Sequence, residues 1–171
     1  MVQRSTGHVR RPATDAEARA LASALRLQIL RLTLDDALTN KQIAERLGRH
    51  PASVLHHVRT LVDTGFLVAE PPRRGTRGAR EVPYRATRKS WYLDAPATDR
   101  AMIDAFLAEV ARVPVEQVSM SRLGLRLSDA DMEQLRSRIQ QLLDEFAQRP
   151  SDPSGAPWSV FVAMHPDAGR R

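Results

Sequence analysis

Apolar residues recur at helical spacing through the first third of the chain. Leu21, Leu25, Ile29 and Leu32 stand at i, i+4, i+8 and i+11, a single stripe of an amphipathic helix. Thr14-Asp-Ala-Glu17 opens that helix as a capping box, its hydroxyl and carboxylate satisfying amide donors that have no intrahelical partner, and the stripe predicts a helix running to about Leu34. Thr39-Asn-Lys-Gln42 repeats the box with Gln, and Ile43, Ala44 and Leu47 give a short second helix its apolar face. Gly48 suits its C-terminal cap. Pro51, pre-set for a first helical turn, starts a third helix that runs to about Asp63 and closes at Gly65. Phe66–Ala69 and Glu81–Thr87 then flank the turn-rich, basic stretch 71–80, which reads as a β-hairpin with a long loop. Pro83 has no ladder donor and predicts an edge position. Helix, helix-turn-helix and basic hairpin, in that order, make a winged helix.

The pattern changes after Pro96. Met102, Ile103, Phe106, Leu107, Val110 and Val113 keep 3–4 spacing until Pro114, a helix with a broad apolar face. Ser128-Asp-Ala-Asp131 caps a further helix, on which Met132, Leu135, Ile139, Leu142 and Phe146 follow a and d spacing to about residue 148. Val118–Leu127 and Trp158–Met164 alternate like strands, and the expectation is that they pair with each other or across a dimer. The predicted class is mainly α with small β (α+β), a winged helix-turn-helix followed by a C-terminal helical/β dimerisation region. Its expected divisions are a flexible basic arm at 1–13, a DNA-binding domain at 14–95, a dimerisation and effector region at 96–166 and a tail at 167–171.

Charge sharpens this division. Residues 1–93 hold 17 Lys+Arg against 8 Asp+Glu, a net of +9, while residues 94–171 hold 9 against 12, a net of −3. A polyanion is therefore the expected partner of the front half. Cysteine is absent, which removes disulfides, thiolate metal sites and cysteine nucleophiles together. No run approaches the ~18 apolar residues of a membrane span, so a cytoplasmic protein with no membrane partner is expected. Enzyme motifs are missing as well: there is no Gly-rich phosphate loop, no Gly-X-Ser-X-Gly and no His-Glu-X-X-His. No cofactor or metal is expected.

Three blocks, Ala20–Leu32, Thr39–Gly48 and Ser53–Leu67 with its paired His56-His57, resemble the ArsR family of bacterial winged-helix transcription regulators. The likeness covers about residues 15–92, and the long second half resembles the extended actinobacterial-type members. It implies a DNA-binding regulator. Where the family usually carries an Asp-Pro-Thr interruption this chain has Ser23-Ala24-Leu25, which implies an unbroken first helix, and the cysteine pairs or Asp/His set of the metal sensors are missing.

On a helical wheel Val54, Val58 and Leu61 take one side of the third helix. Ala52, Ser53, His56 and Thr60 take the other and are the candidate base readers in a major groove. Backbone and wing candidates are Thr39, Asn40, Lys41, Arg49, His57, Arg59, Arg73, Arg74, Arg77 and Arg80, since helix N-termini bind phosphate and Arg enters narrow minor grooves. Met102, Ile103, Phe106, Leu107 and Val110 are the dimerisation candidates. The expected partners are double-stranded DNA, a second copy of the chain and an unidentified small-molecule effector, with Phe106, Met120, Trp158 and Phe161 as a guess at its pocket. The competing reading is a winged-helix RNA- or protein-interaction module. The lack of aromatic residues on the wing and third helix, where unstacked bases would lie, counts against RNA.

Overall fold

The computed structural model describes residues 10–75, 78–95 and 98–170. The stripe from Leu21 to Leu32 lies on two helices, α1 (Asp15–Leu21) and α2 (Ala24–Leu32), not on the one that the pattern predicts. Ser23 makes the break. Its backbone is extended and its hydroxyl accepts from the Arg26 amide, so a polar residue inside an apolar repeat offers the chain a new N-cap. The stripe survives because both helices bury the same side, with Leu21 and Ile29 in one core.

β2 (Leu38–Thr39), α3 (Asn40–Leu47) and α4 (Pro51–Asp63) follow as expected for a helix-turn-helix, with both capping boxes formed and Gly48 in the left-handed conformation at the end of α3. The wing is two short ladders. β3 (Leu67–Ala69) and β6 (Pro83–Ala86) belong to a three-stranded antiparallel sheet of order β2-β6-β3, while β4 (Arg73–Arg74) and β5 (Arg80–Glu81) pair nearer the tip. Pro83 is thus on the central strand rather than an edge. It is tolerated as the first residue of that strand, opposite Thr39, and its carbonyl accepts from the Glu70 amide at 2.9 Å.

Residues 10–13 are not a loose arm. β1 (Arg11–Pro12) pairs in parallel with β7 (Leu93–Asp94), and the Ala13 amide donates to the Asp94 carbonyl at 2.9 Å. Residues 1–9 of the expected arm lie outside the described residues. Glu17 secures this junction. Its buried carboxylate receives both Arg11 (2.6 and 2.8 Å) and Lys89 (2.7 Å), and accepts from the Thr14 amide at 2.9 Å. The hydrogen bond from Arg11, then that from Lys89, holds the carboxyl far below the usual glutamate range. The Lys89 ammonium also donates to the Thr64 carbonyl at the C-terminal end of α4 (2.7 Å) and lies over the Phe66 ring. One cation therefore ties α1, α4 and the end of the wing together.

α5 (Asp99–Val110) packs on α2 through buried Ala105, and the Arg31 guanidinium meets Glu109 at 3.0 Å. Burial pushes the Glu109 carboxyl up, and its second oxygen is buried without a partner among the described residues. Because of this packing the compact front unit runs through residue 117, not to 95. The second unit, 118–170 among the described residues, contains α6 (Asp129–Ala147), capped by Ser128. Val118–Leu127 and Trp158–Met164, expected as strands, form none: their alternation meets no pairing strand among the described residues. None of residues 118–170 is buried, and Met120 and Trp158 are 75% and 80% exposed.

Candidate nucleic-acid interface

α4 is held by three fully buried residues, Val54, Val58 and Leu61. Its first turn is fixed by Pro51 and by His50, whose Nδ1 accepts from the Ala52 amide at 3.2 Å. The imidazole cap carries no sequence signature comparable to Ser, Thr, Asp or Asn. Ala52, Ser53, His56 and Arg59 are exposed, and Thr60 is half-buried. The Ser53 and Thr60 hydroxyls donate back to the His50 and His56 carbonyls (2.9 and 3.0 Å), which leaves each with acceptor lone pairs for a partner. His56 stands edge-on to His57, with ring centroids 5.8 Å apart.

The side chains of two residues expected at phosphates serve the fold. Thr39 is buried and its hydroxyl accepts from the Gln42 amide. Asn40 donates to the Pro51 carbonyl at 2.9 Å, bracing the start of α4 against that of α3, and its Oδ1 is buried without a partner among the described residues. Thr39→Ala should lower unfolding stability by about 1–2 kcal/mol, read by urea titration, and Thr39→Ser should recover most of the loss.

Lys41 and Arg49 are exposed at the helix-turn-helix, as are Arg73, Arg74 and Arg80 on the wing. Arg77 lies outside the described residues. Arg73 donates to Gln42 Oε1 at 3.2 Å, tying the wing to α3. A Cβ at Gly75, where β4 leaves the ladder, would fall 2.2 Å from the Glu81 side chain, which would have to turn aside. Arg49, Arg59, Arg74 and Arg80 form no ion pair among the described residues, whereas Arg11, Arg31, Arg85, Arg88 and Lys89 all do. His57 sits half-buried with its Nδ1 3.4 Å from the Arg26 guanidinium. The sequence reading gave Arg26 and His50 no role, Gln42 only its capping role and Lys89 only a place behind the wing. Only their contacts, made across 15 or more residues in most cases, distinguish them from other polar residues.

On α5, Met102, Ile103 and Leu107 are 43%, 42% and 55% exposed, while Phe106 and Val110 are half-buried. In the second unit a shallow groove of about 470 Å³ is lined by Ile139, Leu143, Val162 and Met164 among others, not by the residues guessed for a pocket. Among the described residues no cluster of His, Asp or Glu could hold a metal, and no helix is long and apolar enough to cross a membrane.

The helix-turn-helix of α3 and α4, packed on α2 and followed by a basic wing, is a winged helix-turn-helix. Residues 21–69 match the family described as a helix-turn-helix domain. No curated protein matches the chain. Among solved structures, it is similar to reduced HlyU from Vibrio cholerae, at 21% identity over 54% of this chain and 84% of that one, TM-score 0.36. It is similar also to the apo form of a doubly substituted ZitR from Lactococcus lactis, at 26% over 75% and 86%, TM-score 0.34. The MepR–DNA complex of S. aureus matches at 17% over 78% and 80%, TM-score 0.32.

Proposed function

We propose that the protein is a homodimeric, sequence-specific regulator, a repressor that occupies a palindromic operator and blocks promoter access. α4 lies in the major groove and the wing, 71–80, enters the neighbouring minor groove. The observation that carries this reading is an α4 whose inner face is fully buried while its outer face is exposed, with Arg49, Arg59, Arg74 and Arg80 exposed on and around it and on the wing. Exposed arginines around that face supply the positive potential that a polyanion requires. The apolar residues Met102, Ile103 and Leu107 supply the dimer contact. Two-fold symmetry then sets the two recognition helices about one DNA turn, ~34 Å, apart.

Selection from a random duplex library, with light scattering on the same sample, tests this. An enriched palindrome bound by a dimer supports it, and weak sequence-blind binding overturns it. Within that assay, Arg73→Ala with Arg74→Ala should weaken binding to all sequences and reduce the slope of log affinity against log salt by ~0.9 for each phosphate that is no longer neutralised. An unchanged slope removes the wing from the interface.

A further inference from the structure

Arg26 stands on α2 with each guanidinium nitrogen engaged: Nη2 donates to the Arg19 carbonyl at 2.7 Å, Nε donates to the Ala20 carbonyl, and Nη1 is 3.4 Å from His57 Nδ1. The two carbonyls belong to the C-terminal turn of α1, which needs donors at that place. An arginine has only donors to offer and keeps its charge, so the imidazole nitrogen facing it must present a lone pair. The ring proton is then on Nε2. Every group facing His57 disfavours a second proton: Arg26 from α2, Arg49 from the α3–α4 turn and His56 from α4 itself, together with burial, which contributes most, hold its pKa below the ordinary value. Nε2 makes no hydrogen bond among the described residues and is not one of the buried unpartnered atoms, so it reaches solvent on the shoulder of the recognition helix.

We propose that Arg26 is a positioning residue that fixes His57 as the Nε2–H tautomer, and that this neutral N–H donates to a DNA phosphate beside α4. The proposal rests on the DNA-binding reading above. Its physical content is a phosphate contact that orients the recognition helix without displacing a counterion. Affinity from it does not decline with salt as that from the wing arginines does.

The experiment uses the full chain labelled with ¹⁵N-histidine. Long-range ¹H–¹⁵N spectra between about pH 5 and 8 should show His57 protonated on Nε2 and titrating below the ordinary imidazole value near 6.5. Arg26→Met should mix the tautomers and move the titration upwards. With a mixed-sequence duplex pool as probe, His57→Phe should weaken binding about threefold to tenfold at each salt concentration with the salt slope unchanged. His57→Gln, whose amide nitrogen can stand where Nε2 stood, should restore it. A proton on Nδ1, or a titration indifferent to Arg26→Met, overturns the positioning role. A slope reduced by ~0.9, or unchanged affinity in His57→Phe, overturns the neutral contact. Failure of the wild-type protein to bind duplex at all overturns the DNA reading and the contact with it, while the tautomer is read without DNA.

Discussion

Replacing Ile103 and Leu107 together by Glu is expected to yield monomers and to weaken binding to the selected duplex about a hundredfold or more. The two side chains are largely exposed on α5, whose other face packs on α2, so the fold of one chain does not depend on them. At a two-fold interface each substitution counts twice and sets four carboxylates against one another. A monomer then loses the gain from engaging two half-sites at once, which for linked sites runs to about 10²–10⁴. Phe106 is a poorer choice, because it is half-buried within the front unit and its loss would confuse dissociation with unfolding. Light scattering gives the mass, and thermal unfolding should differ little from wild type, by about 0.5 kcal/mol or less. A retained dimer mass relocates the interface to another surface.

Glu17→Ala is expected to remove about 2–3 kcal/mol of stability. Its carboxylate is buried and serves two cations and one amide, so the substitution leaves Arg11, Lys89 and the Thr14 amide without their acceptor. Arg11 and Lys89 reach solvent and can be rehydrated, which keeps the cost below the 3–5 kcal/mol typical of breaking a wholly buried pair. Acid should erase the same contribution. A carboxyl whose folded-state pKa is depressed stabilises fully above its unfolded value, near 4.3 for Glu, and loses that stabilisation as pH falls towards the folded value. Urea unfolding of wild type and Glu17→Gln should therefore differ most above about pH 5 and converge on acidification. A difference independent of pH would mean that packing, not charge, carries the effect.

The winged unit was legible because its signals are local. Thr14 with Glu17, Thr39 with Gln42, Gly48 and Pro51 each specify a helix end within four residues, and each does so in the structure. Ser23 escaped because the periodicity of Leu21, Leu25, Ile29 and Leu32 is blind to a break between helices that bury the same side. Pro83 misled because strand order is a long-range property: β2, only two residues long, turns a presumed edge into the centre of a sheet. Thr39 and Asn40 carry the chemistry of phosphate binding but are engaged by Gln42 and Pro51. In the second half the alternation of 118–127 and 158–164 described side-chain character without a pairing partner, so no ladder formed among the described residues. Arg26 and His57, 31 residues apart, could be linked only in three dimensions.

The parallel pairing of β1 with β7 brings Arg11 opposite Leu93 and Pro12 opposite Asp94. The chain thus comes into the helix-turn-helix and wing and leaves them at neighbouring points. A module with that property can be set into a surface loop of an unrelated host without stretching either, and loops tolerate such insertions best where both joints are close together. In this protein such a graft would have to carry α5, which follows β7 and covers α2, so its exit would lie beyond α5 and not beside β1.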